Sequence, residues 1–220
     1  MNERENILAR IREALTAAAP PPEQRAEPPP ATPRPWLPKT GDTIDAWLGQ
    51  FRSNAAELKA SFELFESCEA LDARIGSLGQ AEGWKRIASH RGELTDAACG
   101  AAGLPVLYTD SAYAIADLES CDAGITECDA LIAQTGSVLV TGRSAGGRAL
   151  SVLPPHHVVI ATRGQLVADL PAAFELLKRK YAPNYPSFIS FITGPSRTGD
   201  IERILVLGAH GPKKLTILCV

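Results

Sequence analysis

The sequence predicts a layered α/β fold with a mixed sheet, preceded by a helical arm and a proline-rich connection. Three observations point there. Helical periodicities alternate with short β-compatible runs along residues 42–220. Several of those runs crowd between residues 123 and 167, separated only by turn formers, which allows hairpin pairing within the sheet. Apolar residues make up 45% of the chain against 21% charged, the balance of a globular body. At 220 residues there is room for one ordinary domain and a terminal extension, with a core large enough to need no disulfide or metal staple.

In chain order, Ile7, Leu8, Ile11 and Leu15 recur at three- and four-residue spacing, which predicts an amphipathic helix within residues 1–19. Its apolar stripe needs a cover: the body, a second copy or a partner. Nine prolines from Pro20 to Pro38 fix φ and remove donors, so residues 20–41 read as a semi-rigid linker. The α/β domain occupies 42–220. Ile44, Trp47, Leu48, Phe51, Ala55 and Leu58 have helical spacing, whereas Phe62-Glu63-Leu64-Phe65 alternates like a strand. Residues 69–102 read as mainly helical, interrupted by Gly76, Gly79, Gly83 and Gly92, and Val106-Leu107-Tyr108 as a short buried strand. Strands follow at 123–126, 129–133, 137–140 and 156–160, then a helix from Leu170 to Lys180 capped by Asp169. Phe188 to Thr193 and Leu215 to Cys219 are the last clear strands. Between them, Gly194-Pro195 stops a strand, and Ser196, Thr198 or Asp200 is placed to cap a helix starting near Ile201; Ile204 to Leu207 fits either helix or strand.

Composition limits the function classes. No apolar run approaches the length that crosses a bilayer, and Met1-Asn2-Glu3-Arg4-Glu5 does not resemble a secretory signal, so the expected compartment is the cytoplasm. Five cysteines, at 68, 99, 121, 128 and 219, form no CxxC pair and read as isolated packed thiols; Cys121 and Cys128 are the pair whose spacing allows a meeting. No metal is expected on this chain. The formal charge is -3, which argues against wrapping a nucleic acid. Residues 1–140 hold 12 Lys/Arg and 21 Asp/Glu (-9), and residues 141–220 hold 10 and 4 (+6), so the C-terminal part can supply a pocket for a carboxylate or phosphate. The dinucleotide, Walker A and HExxH fingerprints are absent from the sequence.

Three constellations carry candidate chemistry. Thr135-Gly136-Ser137 combines a turn glycine with hydroxyls, and just upstream Glu127 and Asp129 are candidate acid, base or nucleophile; a hairpin with local hydroxyl bonds explains the same letters. Arg143 and Arg148 flank a glycine-rich segment and suit a carboxylate ligand. The adjacent His156 and His157, being in a strand, point to opposite faces. Gly194 to Asp200 offers Ser196, Arg197 and Asp200 at a helix start, a place that favours anions, with His210 downstream in a glycine-framed turn. Ser196, His210 and Asp200 contain the residue types of a nucleophilic triad, without the Gly-x-Ser-x-Gly elbow.

These residues resemble the LUD family, particularly its lactate utilization protein C (YkgG-like) group. The resemblance is carried by Gly124-Ile125-Thr126-Glu127-Cys128-Asp129-Ala130-Leu131-Ile132-Ala133-Gln134-Thr135-Gly136-Ser137, by Arg148 to His157, by Gly194 to Glu202 and by Val206 to Pro212, in the family's order. It implies a NagB/RpiA/CoA-transferase-like layered fold. It also implies a place in a bacterial system that oxidises L-lactate to pyruvate, in which iron-sulfur partner proteins, one of them FAD-linked or cysteine-rich, hold the redox centres and this chain holds no cofactor. On that reading Thr135, Ser137, Arg148, Ser196, Arg197 and Asp200 form or support a pocket for a small carboxylate or other anion. Two alternatives stand beside it: an independent CoA- or acyl-transfer enzyme with Glu127 as nucleophile, and a non-catalytic assembly or regulatory module. A homo-oligomer is compatible with each.

Overall fold

The structure is a computed structural model that describes residues 3–16, 39–199, 205–207 and 210–220. The chain divides into two units, residues 1–37 and 38–220. In the first, Glu3–Thr16 forms helix α1, on which Ile7, Leu8, Ile11 and Leu15 are all exposed. The proline linker expected from Pro20 to Pro38 lies outside the described residues.

The second unit begins with helix α2 (Ile44–Glu57), capped by the Thr43 hydroxyl, which accepts from the Ala46 N–H at 3.2 Å. Then come β1 (Ser61–Leu64), α3 (Cys68–Glu82), β2 (Ile87–Ser89), α4 (Glu93–Ala102), β3 (Val106–Tyr108), the short α5 (Ile115–Glu119) and β4 (Ala123–Thr126). The chain continues through β5 (Ala130–Ile132), β6 (Ser137–Thr141), β7 (His156–Ala161), β8 (Leu166–Val167) and α6 (Leu170–Tyr181). Asp169 caps α6 as its sequence position predicts, accepting from the Ala172 N–H at 2.9 Å. The last elements are β9 (Ile189–Ile192), β10 (Arg197–Gly199), β11 (Leu205–Leu207) and β12 (Lys214–Cys219).

Six strands form an all-parallel sheet in the order β1-β12-β7-β4-β2-β3. Its central strands are covered on both faces, which is why β7 and β12 read as near-continuous apolar runs. Ile125, Val158, Ile160 and Leu218 face Leu71, Ile75 and Leu78 of α3 and Ala98 and Cys99 of α4. Val159, Ala161, Leu215 and Ile217 face the other way, onto Leu48 and Phe51 of α2 and onto Leu131, Val138 and Val140 of a second sheet. That sheet has the order β8-β5-β6-β9 and mixes parallel with antiparallel pairs. Its far face, Ala130, Ile132 and Leu139, packs on Ala173, Leu177 and Tyr181 of α6. The layers therefore run helix, parallel sheet, mixed sheet with α2, helix.

The expected mixed sheet is present in the hairpin-like middle of the chain, as the second sheet, beside a larger sheet that is purely parallel. One expectation needs correction and one open alternative is resolved. The stretch 69–102 contains a buried strand, β2, which three residues are too few to announce by periodicity. Of the two readings of Ile204 to Leu207, helix or strand, the structure takes the strand for Leu205–Leu207. Those residues form β11, antiparallel to β10 with Gly199 opposite Leu205, as befits an apolar run with no polar helical face. Asp200 and the residues up to Ile204 lie outside the described residues.

The β5–β6 turn docks on α2. Asn54 Nδ2 donates to the carbonyls of Ala133 (2.8 Å) and Gln134 (3.0 Å), and Gly136 has φ +63° with the space for a Cβ occupied at 2.8 Å by the Ala55 nitrogen. Gly83 also has positive φ, +68°, but open space around it. Gly83→Ala is expected to cost roughly 1 kcal/mol of left-handed strain. Gly136→Ala adds the displacement of α2 and is expected to cost ~3 kcal/mol. Urea unfolding of both variants measures the difference; equal losses would show that the turn is not pressed against α2.

Candidate functional site

The connectivity of the parallel sheet singles out one place. From β2 the chain passes through α4 to β3 on one side, then returns through α5 to β4 on the other side of β2. Connections that diverge in this way leave a crevice between the carboxyl ends of the two strands, where ligands bind in open parallel α/β sheets. Here it lies between Ser89 at the end of β2 and Thr126 at the end of β4.

Polar groups converge on it. Ser89 Oγ donates to the Ile125 carbonyl at 3.0 Å, joining the two strands below the crevice. His90 Nδ1 lies 3.1 Å from the Arg91 carbonyl, and since a carbonyl only accepts, Nδ1 carries the proton; Nε2 then accepts the Glu127 N–H at 3.2 Å. Thr95, in the first turn of α4, donates to the His90 carbonyl at 2.9 Å. The Glu127 carboxylate lies against Gly92, where a Cβ would stand 2.4 Å from Oε1 and 2.8 Å from Thr95 Oγ1. Glu127 Oε1 is buried without a hydrogen-bond partner among the described residues. A carboxylate oxygen left without a partner costs free energy, so it is poised to accept from a ligand or to attack one.

The loop between β6 and β7 closes on this crevice. Gly146 sits at φ +59° with its carbonyl accepting from Thr109 Oγ1 at 2.7 Å, and a Cβ there would come within 2.4 Å of His90 Cβ. Arg91 is fixed beside the crevice, with its guanidinium 3.6 Å from the centre of the Tyr108 ring and 3.0 Å from Asp96. On the same carboxyl edge, a cavity of about 180 Å³ opens between α3 and α4, lined by Leu71, Leu94, Ala97 and Ile160 and by Cys68 and Asp72 at its rim.

Of the candidate residues, Glu127 alone faces the crevice among the three proposed catalytic groups. Asp129 is fully buried and accepts from Lys180 Nζ (2.6 Å), Tyr181 OH (2.6 Å) and Ser144 Oγ (2.7 Å). Burial opposes its ionisation, but the three hydrogen bonds together outweigh it and hold the pKa below the usual aspartate value. It works as a structural staple. His210 is exposed.

The anion-binding set is divided along the β6–β9 ladder. Ser137 Oγ pairs with Thr193 Oγ1 at 2.8 Å at one end, near the docked Thr135 turn and the Gly194 segment, whose Cβ position is filled by the Leu58 carbonyl at 2.8 Å. Ser196 N–H donates to the Pro212 carbonyl at 2.9 Å, and Arg197 belongs to β10. Arg148 lies beyond the other end, where Nη2 reaches the Ser187 carbonyl at 3.3 Å, and Arg143 lies over the Tyr181 ring at 5.4 Å. The two histidines take opposite faces: His156 Nε2 pairs with Thr216 Oγ1 and its ring meets Trp84, while His157 Nε2 pairs with Thr126 Oγ1, both at 2.9 Å. Cys121 and Cys128 belong to different core clusters, and all five cysteines are free thiols. No group of three metal-ligating side chains comes together among the described residues.

Sequence reasoning missed His90, Gly92 and Thr95. The available signal was Ile87-Ala88-Ser89 followed at once by His90 and by Gly92-Glu93, a strand-to-helix junction concealed in a glycine-interrupted stretch.

Fold and site together define a parallel-sheet α/β protein with a carboxylate at its switch-point crevice. The LUD domain family matches residues 50–220, and the chain belongs to that family. It is 37% identical over 112 residues to a lactate utilization protein C of Shouchella clausii, covering 50% of this chain and 49% of the relative. It is 28% identical over 174 residues to one of Deinococcus radiodurans, covering 79% of each. In the first of these alignments the chain spans about half the length of the curated relative. The crystal structure of a DUF162 family protein from Deinococcus radiodurans superposes with a TM-score of 0.63 at 22% identity, over 81% of this chain and 98% of that one, and so shares the fold. No described helix is long and apolar enough to cross a membrane.

Burial drives the pKa of His157 down to about 3, with His156 adding to the effect, and that of His156 down to about 4. Both are neutral in the fold and take up protons once unfolded, so the unfolded state binds more protons below about pH 6.5. Stability is therefore expected to fall as pH drops from 6.5 toward 4, by several kcal/mol in order of magnitude at ~1.4 kcal/mol per pKa unit. The Asp129 contribution is lost only below its ordinary value of 3.8, which separates the two effects. Urea midpoints measured across this range test the assignment. His157→Asn, which keeps an amide near Thr126 but does not titrate, is expected to flatten the slope; an unchanged slope would remove His157 from the account.

Proposed function

We propose that this chain is a component of a bacterial lactate-utilization system and supports the oxidation of L-lactate to pyruvate together with iron-sulfur partner proteins. The observation that carries the reading is family membership across residues 50–220, joined to relatives named lactate utilization protein C. On this reading the layered fold is of the NagB/RpiA/CoA-transferase type, and the protein works in the cytoplasm. The crevice offers acid–base and positioning groups, Glu127, His90 and Thr95. Taking two electrons from an α-hydroxy acid requires redox chemistry of a kind that carboxylate, imidazole and hydroxyl groups do not supply. We assign it to iron-sulfur clusters on the partners, one of which is FAD-linked or cysteine-rich. Of the expected anion-binding residues, Arg148 is the one carried by the loop that closes on the crevice, and we assign it to a small carboxylate.

One observation favours a second reading. Glu127 Oε1, buried and unpartnered at the switch point, has the placement of a nucleophile for CoA or acyl transfer.

The two readings separate by experiment. Under the first, the purified chain does not oxidise lactate alone, whereas the set reconstituted with its iron-sulfur partners transfers electrons from lactate to an acceptor dye; the same rate without this chain would exclude its participation. Under the second, incubation with acyl-CoA gives a covalent adduct detectable by mass spectrometry and absent from Glu127→Gln. Full turnover in that variant would remove Glu127 as nucleophile.

A further inference from the structure

The opposite, amino-terminal edge of the parallel sheet holds a second built site. Between α3 and the starts of β1, β7 and β12 opens a cavity of about 310 Å³ lined by Lys59, Arg74, Glu82, His156, Lys213 and Lys214, among others. It continues into a compartment of about 200 Å³ that shares Glu82, His156, Lys213 and Lys214 and adds the less polar surfaces of Trp84 and Pro155 together with Asp122, whose carboxylate is engaged by the Lys85 and Arg86 N–H groups at 2.7 and 3.1 Å. The first compartment alone is at the lower end of small-ligand pockets, which begin near 300 Å³.

Its charges do not balance internally. Arg74 is occupied by a bidentate pair with Glu63 at 2.8 and 2.9 Å, and Lys214 by Glu82 at 2.5 Å. Lys59 and Lys213 have no carboxylate partner among the described residues. His156, only 4% exposed, uses Nε2 on Thr216 while Nδ1 is buried with no partner among the described residues. A buried polar atom without a partner is uncommon and points to a missing one. Because burial keeps this imidazole neutral, it offers a hydrogen-bonding nitrogen without adding charge.

Lys59 carries a further sign. It ends α2 in a Schellman motif, with Lys59 N–H on the Ala56 carbonyl at 3.0 Å and Ala60 N–H on the Ala55 carbonyl at 2.9 Å. Its φ of +65° is the left-handed conformation that glycine fills at this position without strain. The chain places a lysine there instead, at the rim of the cavity, where backbone economy favours glycine.

We infer that this amino-edge cavity binds the dianionic phosphate group of a small molecule, whose less polar body lies along Trp84 and Pro155. Two unpaired ammonium groups match a dianion, and lysines meet phosphate as point charges. A lone carboxylate would be better served by a free arginine fork, and Arg74, the one arginine lining the cavity among the described residues, is already taken by Glu63.

The test uses the full chain and inorganic phosphate, with chloride at matched ionic strength as control, read by calorimetric titration and by thermal unfolding midpoint. Phosphate is expected to bind and to raise the midpoint where chloride does not. Lys59→Gly and Lys213→Ala are each expected to weaken phosphate at least tenfold. Without phosphate, Lys59→Gly is expected to unfold at the same or a higher temperature, since glycine relieves the left-handed strain. Equal responses to phosphate and chloride, or undiminished binding in both variants, would overturn the assignment. So would a Lys59→Gly chain less stable without phosphate, because the lysine would then serve the fold.

Discussion

The Asp129 carboxylate is buried at the point where the chain leaves the parallel sheet for the mixed one, and its three donors tie two separate elements to that point. Lys180 and Tyr181 reach it from the end of α6, and Ser144 reaches it from the loop that follows β6. An ion pair with one member out of water roughly breaks even in free energy, but removing one partner leaves a charge that costs ~3–5 kcal/mol. Its value is positional. Glu127 lies two residues before Asp129, and Gly146 lies two residues after Ser144, so one carboxylate fixes both the group in the crevice and the loop that closes over it.

The parallel sheet then gives its two edges different chemistry. At the carboxyl edge the divergent connections of β2 and β4 open a crevice beside the start of α4, where the Glu127 side chain lies against Gly92. At the amino edge the strands begin among lysines, and the Lys214 pair with Glu82 leaves a cationic surplus. The neighbouring histidines, both at the start of β7, divide by face instead. His157 turns toward Thr126 on one face, and His156 turns toward Thr216 and Trp84 on the other. A strand period of two is enough to send adjacent identical side chains to separate environments.

Elements with a strong local signal were legible in the sequence. The Asp169 cap and the amphipathic run after it gave α6, Val106-Leu107-Tyr108 gave β3, and the unbroken apolar runs gave β7 and β12. The strand β2 was not, because its identity depends on pairing with β3 and β4 rather than on its own three residues. Nor was the β10–β11 ribbon, since the capping residues before Ile201 suit a turn between strands as well as a helix start. At the site, Glu127 could be named as a carboxylate of interest, but nothing local distinguished it from Asp129. Burial against three donors made one a staple, and proximity to Gly92 made the other an orphan. Thr135 and Ser137 carried the right hydroxyls, yet the turn that bears them is committed to α2 through Asn54.

The space at the crevice is defined largely by side chains that are missing. Gly92 leaves room for the Glu127 carboxylate and Gly146 leaves room for His90, so motif reading, which looks for chemical groups, passes over the two positions that shape the site. The resulting geometry constrains any substrate that carries its own carboxylate. Two anions held 4 Å apart repel by ~1 kcal/mol in water and ~4 kcal/mol at the effective dielectric of a protein surface. A ligand that carries a carboxylate and enters beside the Glu127 carboxylate is therefore favoured in the orientation that directs its own carboxylate away from that oxygen. A cation on the closing loop, as Arg148 is, supports that orientation, and under the proposed function Glu127 would then face the remaining, non-carboxylate end of the ligand.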